Sequence, residues 1–366
     1  LVIALISCSF TASAKQDTSA RAAVIMDVAS CRVLYSKNMT EKLAMASTTK
    51  IMTTLVAIES GKLDDTVKVS RKASYTEGSS IYLREGEMHT VRDLLYAVML
   101  RSGNDASVAV AEHVGGSVEG FVALMNKKAQ EIGVNNTHFD NPHGLDSKNH
   151  YTTAYDLALI AAYALRNPTF AEIVGSKKKT IEGPPGENWD RVMINKNKML
   201  WQFEGGNGVK TGFTNKAGRC LVSSATRNGM QLVCVVLNCG PMWNDSAALL
   251  ENGFGNYKNE QVVNRENIFK VVEVRNGKEK FVAVKPVEDY YVALKAGEIE
   301  KVKLTASNMN KAQAPLKRGE QAGQLEVYLD DRLLHTIKLE YTENVESSSP
   351  FFYLKEIMRG YLKNVN

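Results

Sequence analysis

The spacing of apolar residues along the chain changes from strand-like to helical and back again. Residues 22–35 alternate as two short strands around a turn at residues 27–30, and helical spacing begins after Ser47. Thr153 and Asp156 have the form of a capping box before another helix. Three further stretches share helical spacing: residues 91–100, 106–114 and 118–132. The sequence therefore predicts a strand pair followed by a mainly helical segment.

Strand patterns return after Gly206. Residues 219–225 and 231–237 flank Asn228-Gly229, which is a strong signal for a two-residue hairpin. Residues 247–254 predict a closing helix. Because strands at both ends enclose the helices, we expect an α+β domain with one antiparallel sheet built from distant segments.

Short alternating strands separated by turn residues fill the segment after Tyr257. They cover residues 268–275, 280–285, 290–294, 300–304, 324–329 and 332–339. This pattern predicts a small β-sandwich. We therefore divide the chain into a first domain of residues 15–257 and a β-sandwich domain of residues 258–342.

The N-terminal segment, residues 1–14, is an apolar stretch that ends in Ala12-Ser13-Ala14, the form of a signal-peptidase site. No Met or basic region precedes it, so we expect the sequence to begin inside a longer signal peptide. An alternative uses Leu5-Ile6-Ser7-Cys8 as a lipoprotein-type processing site. The apolar run continues past Cys8 to Phe10, which favours the first interpretation.

The C-terminal segment, residues 343–366, predicts a polar, Ser-rich linker followed by an amphipathic helix. The helix sets basic residues opposite a broad apolar face made of Phe351, Phe352, Leu354, Ile357, Met358, Tyr361 and Leu362. We expect this helix to bind an anionic membrane surface, at the outer face of the cytoplasmic membrane once the protein is exported. A helix that docks on its own protein is the alternative.

Charge and cysteine content exclude several function classes. The net charge of +5 is spread along the chain, and the longest basic run, Lys177-Lys178-Lys179, lacks the interleaved aromatics and arginines of a nucleic-acid-binding face. A solvated loop is the better interpretation of that run. No His/Cys pair stands at zinc spacing, so we expect no metal or cofactor. The hairpin register places Cys234 opposite Ser223 and sends Cys220 to the other face of the sheet, so these thiols should not bridge.

Three short motifs carry candidate chemistry: Ser47-Thr48-Thr49-Lys50, Ser102-Gly103-Asn104 and Lys210-Thr211-Gly212. Serine is a weak nucleophile that needs a base. A spacing of three residues on a helix places Ser47 and Lys50 on one face, one turn apart. Loss of water and a neighbouring cation such as Lys210 would disfavour the ammonium form of Lys50, which could then accept the serine proton. These groups are typical of an acyl-serine enzyme.

Each motif by itself is common by chance. Ser176-x-x-Lys179 repeats the first motif, and Ser36-Lys37-Asn38 and Ser147-Lys148-Asn149 resemble the second. However, only Ser47 and Ser102 stand beside strong helical patterns, and Lys-Thr-Gly occurs once. Order and local context therefore select the three motifs as a set.

The three motifs in this order are those of penicillin-binding proteins and class A β-lactamases. With its flanks, the chain resembles the low-molecular-weight penicillin-binding proteins, which are serine-type D-alanyl-D-alanine carboxypeptidases, from about Ala22 to the C-terminal helix. The flanks that carry the resemblance are residues 46–53, 101–106, 150–157 and 209–214. The resemblance implies a β-lactamase/transpeptidase-like fold for the first domain.

The resemblance also assigns catalytic roles. Ser47 would attack the carbonyl between the two terminal D-alanines of a peptidoglycan stem peptide, with Lys50 as the general base. Ser102 would relay a proton to the leaving amine, and Asn104 would hold both Lys50 and the substrate amide. β-Lactam antibiotics would acylate Ser47 as substrate mimics.

The same resemblance assigns substrate-binding roles to the third motif. Lys210 and Thr211 would bind the terminal carboxylate, and Gly212 would let the substrate backbone approach the strand edge. The backbone N–H groups of Ser47 and Phe213 would form the oxyanion hole.

Some details of the chain bear on the choice within this group. Gly103 stands where class A β-lactamases usually have Asp, and no Glu-x-x-Leu-Asn segment lies between Asn104 and Lys210 to activate a deacylating water. In relatives an Arg shortly after the hairpin helps to bind the carboxylate, whereas Pro241-Met242-Trp243-Asn244 occupies that region here. For His150 we expect packing within its loop. We favour a carboxypeptidase, while a β-lactamase, a D,D-endopeptidase and a non-catalytic penicillin-binding scaffold remain alternatives.

Overall fold

The computed structural model describes residues 17–307, 309, 312–351, 353 and 354. Its contacts divide the chain into two compact units, residues 1–256 and 257–366. The sequence patterns placed this boundary one residue later. The predicted signal peptide lies outside the described residues, and so does most of the predicted C-terminal helix.

The first unit alternates between strands and helices. Its 3₁₀ turn (Ala46–Thr49) leads directly into the first helix, and a π-helical turn (Ala97–Arg101) continues the third. In chain order its strands and helices are β1 (Ala22–Asp27), β2 (Val33–Lys37), α1 (Lys50–Glu59), β3 (Thr66–Lys68), α2 (Arg71–Ser74), β4 (Met88–Thr90), α3 (Val91–Tyr96), α4 (Asn104–Gly115), α5 (Val118–Ile132), α6 (Ala154–Leu165), α7 (Pro168–Gly175), β5 (Lys178–Ile181), β6 (Arg191–Ile194), α8 (Met199–Gln202), β7 (Gly206–Thr214), β8 (Gly218–Arg227), β9 (Met230–Leu237) and α9 (Met242–Asn256).

One antiparallel sheet, in the order β2-β1-β9-β8-β7, joins strands from both ends of the unit. Asn228 and Gly229 make the turn between β8 and β9 with φ of 49° and 77°, the left-handed conformations that a two-residue hairpin requires. The α+β prediction, with distant segments in one sheet, is confirmed. Strand β7 forms one edge of this sheet.

Helices cover both faces of the sheet, so its central strands are buried almost throughout. Helix α6 packs against β1 and β9, and α9 packs against β8 and β9. The largest cluster of buried apolar residues joins the sheet to the helices between β2 and β7 and includes Ile51, Leu55, Phe121 and Phe170, all 0% exposed. This core fixes α1 in the first unit. Lys50, the last residue of the first motif, is fixed with it.

The predicted register of the β8–β9 hairpin is confirmed, because Ser223 pairs with Cys234. Cys220, Cys234 and Cys239 are buried free thiols, so the prediction that Cys220 and Cys234 do not bridge is also confirmed. Burial raises the pKa of the Cys234 thiol to about 12. These cysteines are small core residues and not reactive thiolates.

The prediction of a solvated loop at Lys177-Lys178-Lys179 is wrong. Residues Lys178–Ile181 form β5, which pairs with β6 in a two-stranded ribbon. Ile181 at its end is buried, and the ammonium group of Lys179 lies 4.7 Å from the centre of the Tyr96 ring. A basic run can form a strand here because long lysine stems cover apolar surface while their charged ends reach solvent.

The second unit is built from strands. They are β10 (Lys258–Val263), β11 (Lys270–Arg275), β12 (Phe281–Pro286), β13 (Tyr290–Leu294), β14 (Val302–Ser307), β15 (Ala312–Gln313), β16 (Gln321–Leu329) and β17 (Arg332–Tyr341). One sheet has the order β14-β16-β17-β12-β11-β15, and β10 pairs with β13. Strands β10 and β15 were not predicted, because β10 is polar in sequence and β15 is only two residues long.

The structure differs from the linker expected over residues 343–350. Val345 exchanges backbone hydrogen bonds with Leu316, and Ser347 forms a bridge with Gly277. Both side chains are buried. Phe351, Tyr353 and Leu354 are exposed, and the hydroxyl of Tyr353 donates to the oxygen of Ser347 at 3.0 Å. Phe352 and the residues of the predicted anchor after Leu354 lie outside the described residues.

Among the residues that the structure describes, no single helix has the length and apolar content needed to cross a membrane. The bent pair α4 and α5 meets these criteria only when the two helices are taken together.

Candidate active site

Ser47 lies in the 3₁₀ turn that opens helix α1. A 3₁₀ helix has three residues per turn, so side chains at i and i+3 eclipse each other. Lys50, the first residue of α1, therefore stands directly over Ser47. Ala46 has a φ of 49°, a left-handed conformation that is costly for a residue with a Cβ. This sharp bend presents Ser47, the candidate nucleophile, at the start of the helix.

The Lys50 side chain is fully buried, and its nitrogen lies at the centre of three polar contacts. Its Nζ is 3.1 Å from Ser47 Oγ, 2.7 Å from Asn104 Oδ1 and 2.6 Å from the backbone oxygen of His143. A neutral amine has two N–H groups and one lone pair. The two carbonyl oxygens can accept the two N–H groups, which leaves the lone pair for the Ser47 hydroxyl.

Electrostatics favour this neutral form. Burial, together with the charges of Lys210 and Lys196, holds the pKa of Lys50 well below its usual range, although Asp105 opposes this. All three close contacts of Lys50 are to uncharged groups, so none of them stabilises the ammonium form as a carboxylate would. Lys50 can therefore act as a base towards Ser47.

Ser102 follows the π-helical turn Ala97–Arg101 and is buried. It adopts the left-handed conformation, with φ 65° and ψ 32°. The N–H of Gly103 donates to the oxygen of Ala97, which closes the turn behind it. Helix α3 was predicted to run to residue 100 as a regular helix. The π-helical turn instead ends it in a bend that places Ser102 at the wall of the cleft described below, and such turns are frequent at functional sites.

Asn104 begins helix α4 and is held on both sides of its amide. Its Oδ1 accepts from Lys50, and its Nδ2 donates to the oxygen of Glu77 at 2.6 Å. This pairing fixes the amide orientation, since only the oxygen can face the lysine. A Cβ added at Gly78 would lie 2.6 Å from Asn104 Nδ2, so the loop approaches the amide closely only because residue 78 is glycine.

Asp105 organises the neighbouring loop and was not predicted as a site residue. The carboxylate is fully buried and accepts from the hydroxyl of Ser80 at 2.6 Å and from the backbone N–H groups of Ile81 and Leu83 at 3.1 Å each. These donors satisfy the buried carboxylate oxygens. Asp105 thus fixes the loop that contributes Ser79 to the cleft.

Strand β7 packs its edge against the 3₁₀ turn. A Cβ added at Gly212 would lie 3.0 Å from the nitrogen of Ser47 and 3.1 Å from the oxygen of Met45. Glycine at this position therefore lets the strand approach Ser47. Phe213, next along β7, is 62% exposed.

Lys210 is buried on the interior side of β7. Only 2% of its surface is exposed, and its ammonium nitrogen donates to the oxygen of Thr211 at 2.8 Å. Burial and the charge of Lys196 lower the pKa of Lys210 to about 7. The charge of Lys210 thus lowers the pKa of Lys50, and burial weakens the charge of Lys210 itself.

A cleft of about 570 Å³ opens over these residues. Ser47, Ser102, Thr211, Gly212 and Phe213 line it, so the structure brings residues of all three motifs to one wall. Lys50 and Lys210 lie behind this wall and do not line it. The other lining residues, which were not predicted, are Ser79, Lys196, Lys198, Arg219, Met242 and Trp243.

His150 supports the turn from outside the cleft, as expected of a packing residue. Its Nδ1 accepts from the N–H of Asp140, so the ring proton lies on Nε2 and donates to Thr49 Oγ1 at 2.7 Å. The Thr49 hydroxyl in turn donates to the oxygen of Ala46 at 2.8 Å. Burial lowers the pKa of His150 to about 4, which keeps the ring neutral near pH 7. This chain of bonds holds the strained residue before Ser47.

The oxygen of His143 and the side chain of Arg219 could not be selected from the sequence. The first belongs to a loop whose backbone contacts depend on tertiary structure. The second is one of many cations, and its position opposite Phe213 is visible only from the strand register.

Comparison with protein families identifies the family to which the chain belongs. Residues 9–240 match the D-alanyl-D-alanine carboxypeptidase family, and residues 257–347 match the family described as the C-terminal domain of penicillin-binding protein 5. The first match covers more than half of the chain. The chain belongs to the D-alanyl-D-alanine carboxypeptidase family.

Individual relatives agree with this assignment over nearly the whole length. The chain is 35% identical to the D-alanyl-D-alanine carboxypeptidase DacF of Bacillus subtilis, over 99% of this chain and 97% of the relative. It is 34% identical to DacC of Escherichia coli, over 91% and 86%. Among solved structures, penicillin-binding protein 5 of Haemophilus influenzae matches with a TM-score of 0.73 and 30% identity, over 91% of this chain and 99% of that one. The predicted family and two-part fold are confirmed.

Replacing Thr49 tests the bonds that hold the turn. Thr49→Val keeps the shape of the side chain but removes the hydroxyl that accepts from His150 Nε2–H and donates to Ala46 O. We expect a loss of about 1–3 kcal/mol in the free energy of unfolding, the usual cost of an unsatisfied buried polar group. Urea denaturation followed by circular dichroism measures it.

Thr49→Ser is the matched control, because it keeps the hydroxyl and removes one methyl group. It should lose less than about 1.5 kcal/mol. Equal losses in the two variants would show that the hydroxyl bonds contribute nothing to the stability of the turn.

Proposed function

We propose that this protein is a serine-type carboxypeptidase that removes the terminal D-alanine from peptidoglycan stem pentapeptides through an acyl-Ser47 intermediate. The observation that carries the proposal is the buried amine of Lys50, placed 3.1 Å from Ser47 Oγ with carbonyl acceptors for its own N–H groups. The family assignment and the curated relatives named D-alanyl-D-alanine carboxypeptidases support the substrate class.

Acylation follows from this geometry. Neutral Lys50 accepts the proton of the Ser47 hydroxyl while Oγ attacks the carbonyl carbon between the two D-alanines. The N–H groups of Ser47 and Phe213 stabilise the oxyanion that forms. The C–N bond then breaks, and the leaving amine takes a proton from Lys50 by way of Ser102. The products are an ester on Ser47 and free D-alanine.

Deacylation restores the enzyme. A water molecule gives a proton to the lysine amine and attacks the ester carbonyl, and the Ser47 oxygen leaves as the hydroxyl after taking that proton back. Asn104 keeps Lys50 in place through both steps, because its amide oxygen accepts from Nζ whichever other partner the amine has. The shortened peptide then leaves the cleft.

The third motif orients the substrate against the strand edge. We propose that Gly212 admits the substrate backbone beside β7 and that Thr211 favours the terminal carboxylate from the cleft. Lys210, behind the wall, favours the carboxylate to the extent that it is protonated. β-Lactams, which carry a carboxylate in a comparable position, would enter the same way and acylate Ser47. A β-lactamase or an endopeptidase would use the same groups. The lifetime of the penicilloyl-enzyme distinguishes a β-lactamase, and a preference for cross-linked peptides distinguishes an endopeptidase.

We also propose that the mature protein acts at the outer face of the cytoplasmic membrane, held there by its C-terminal helix. The support is in the sequence: an apolar N-terminal stretch with a signal-peptidase-like end, and an amphipathic C-terminal segment with Lys355, Arg359 and Lys363 opposite its apolar face.

Ser47→Ala should abolish both release of D-alanine and covalent labelling by penicillin, because it removes the attacking oxygen and leaves Lys50 buried as before. Intact-mass spectrometry after incubation with penicillin checks the adduct, and a coupled assay checks D-alanine. Ser176→Ala, in the chance repeat of the motif, is the matched control and should behave as the wild type. An adduct on the Ser47→Ala protein would refute the nucleophile assignment.

Penicillin should remain on Ser47 for a long time. No glutamate in the Glu-x-x-Leu-Asn context is present between Asn104 and Lys210 to activate water against the bulky penicilloyl ester. We expect turnover of penicillin far below about 10 per second, the median rate of enzymes, while D-alanine release from a pentapeptide is faster. Absorbance at the β-lactam band measures the turnover, and rapid complete hydrolysis would favour the β-lactamase alternative.

The mature chain should bind anionic lipid vesicles in a salt-sensitive way, since each basic residue near such a surface contributes roughly 1 kcal/mol. Vesicle co-sedimentation measures this. A chain that ends at Ser348 keeps the buried Val345 and Ser347, so it should stay folded and react with penicillin but remain in the supernatant. Equal sedimentation of the two chains, or no binding by either, would contradict the anchor.

A further inference from the structure

The charged residues that line the cleft are all cations. Lys196, Lys198 and Arg219 contribute to its wall, and its lining within the described residues includes no aspartate or glutamate. A concave site lined by one sign of charge concentrates ligands of the opposite sign. The surface of the site is therefore suited to an anionic group. The cations in and behind the cleft wall differ in their burial and in the permanence of their charge.

The buried lysines of the motifs contribute little fixed charge to that wall. Lys210 and Lys50 are 2% and 0% exposed, and neither lines the cleft. Burial and the charge of Lys196 lower the pKa of Lys210 to about 7, which weakens its positive charge at pH 8. Neither lysine therefore supplies a permanent positive charge for direct contact with a ligand at that pH.

Arg219 is the permanent charge beside the third motif. It lies on β8 directly opposite Phe213 on β7, and directly opposed residues project from the same face of a sheet. Thr211, two residues from Phe213, projects from that face as well. Arg219, Thr211 and Phe213 therefore form one patch, which Met242 and Trp243 border in the cleft.

The guanidinium makes one hydrogen bond to the backbone. Its Nη1 donates to the oxygen of Gly240 at 3.3 Å, which uses one of its five N–H groups. Arg219 is exposed, and within the described residues its guanidinium forms no ion pair with an Asp or Glu. A planar guanidinium pairs with a carboxylate through two parallel hydrogen bonds, which a lysine cannot do.

We propose that Arg219 is a specificity-determining residue that binds the terminal carboxylate of the substrate from the neighbouring strand. This inference rests on the proposed carboxypeptidase function. Thr211 donates its hydroxyl to the same carboxylate, while the side chain of Phe213 and the indole of Trp243 shield the pair from water. The enzyme thereby distinguishes a free chain end from an interior peptide bond.

The test compares substrates that differ only in this carboxylate. kcat/KM is measured at pH 8 for a peptide ending in D-Ala-D-Ala and for the same peptide with a C-terminal amide. We expect Arg219→Gln to reduce the preference for the free carboxylate by about tenfold to a hundredfold, the usual range for a hydrogen bond to a charged group. Arg219→Lys should fall between the wild type and Arg219→Gln.

Lys216→Gln is the matched control. It removes a positive charge three residues away, in the exposed β7–β8 turn outside the cleft, and should keep the wild-type preference. An unchanged preference in Arg219→Gln would overturn the inference. An equal loss on both peptides would also overturn it, because a structural role does not distinguish the two substrates.

A second measurement separates this inference from the proposed function. The rate of acylation of Ser47 is compared for penicillin and for its carboxyl methyl ester by intact-mass spectrometry. If the wild type releases no D-alanine, the proposed function fails, but the preference for penicillin over its ester still tests Arg219. That preference should fall in Arg219→Gln and not in Lys216→Gln.

Discussion

The burial of the Lys50 side chain is the interaction on which the rest of the site depends. A charged ammonium group withdrawn from water costs several kcal/mol unless a counter-ion offsets it. Here its close partners are a hydroxyl, an amide oxygen and a backbone carbonyl, so the structure offers hydrogen bonds without an opposite charge in contact. The neutral amine resolves this conflict, and a neutral amine next to a serine is a base.

The surrounding backbone is shaped to hold that arrangement. Ala46 and Ser102 both adopt left-handed conformations, which cost of order 1–3 kcal/mol each for residues with a Cβ. Packing offsets the cost at the first of them: a Cβ on Gly144 would lie 2.0 Å from the oxygen of Ala46, so that loop presses directly on the turn. The Thr49 hydroxyl bonds the same oxygen from the other side.

Much of this could be predicted from sequence, because its signals are local. The spacing of Ser47 and Lys50, the hairpin at Asn228-Gly229 and the alternation in β8 and β9 are properties of short segments, and the fold follows from their order. The solvated loop predicted at Lys177 failed for a tertiary reason. Strand β5 forms because β6 pairs with it, and a single segment does not contain that information.

The parts of the site that sequence could not indicate are contributions from neighbouring chain segments. The oxygen of His143 reaches Lys50 from a loop 93 residues away in sequence, and its identity as a histidine is irrelevant to the contact. Arg219 is adjacent to Phe213 only through the register of two strands. Backbone groups and cross-strand neighbours leave no residue pattern, so sequence motifs indicate the proposed nucleophile and base more completely than the groups that support them.

The division between buried and exposed cations suits the two tasks of the proposed function. A lysine that acts as a general base must be neutral, and burial and neighbouring cations both favour the neutral form. Burial, Lys210 and Lys196 lower the pKa of Lys50 in this way. Recognition of a carboxylate requires a charge that persists in contact with solvent. One lysine cannot meet both demands. A lower pKa makes the lysine neutral near pH 7 and so able to accept a proton, but a neutral lysine offers no charge to the ligand. A guanidinium at the cleft surface keeps its charge under conditions in which the interior lysines lose theirs.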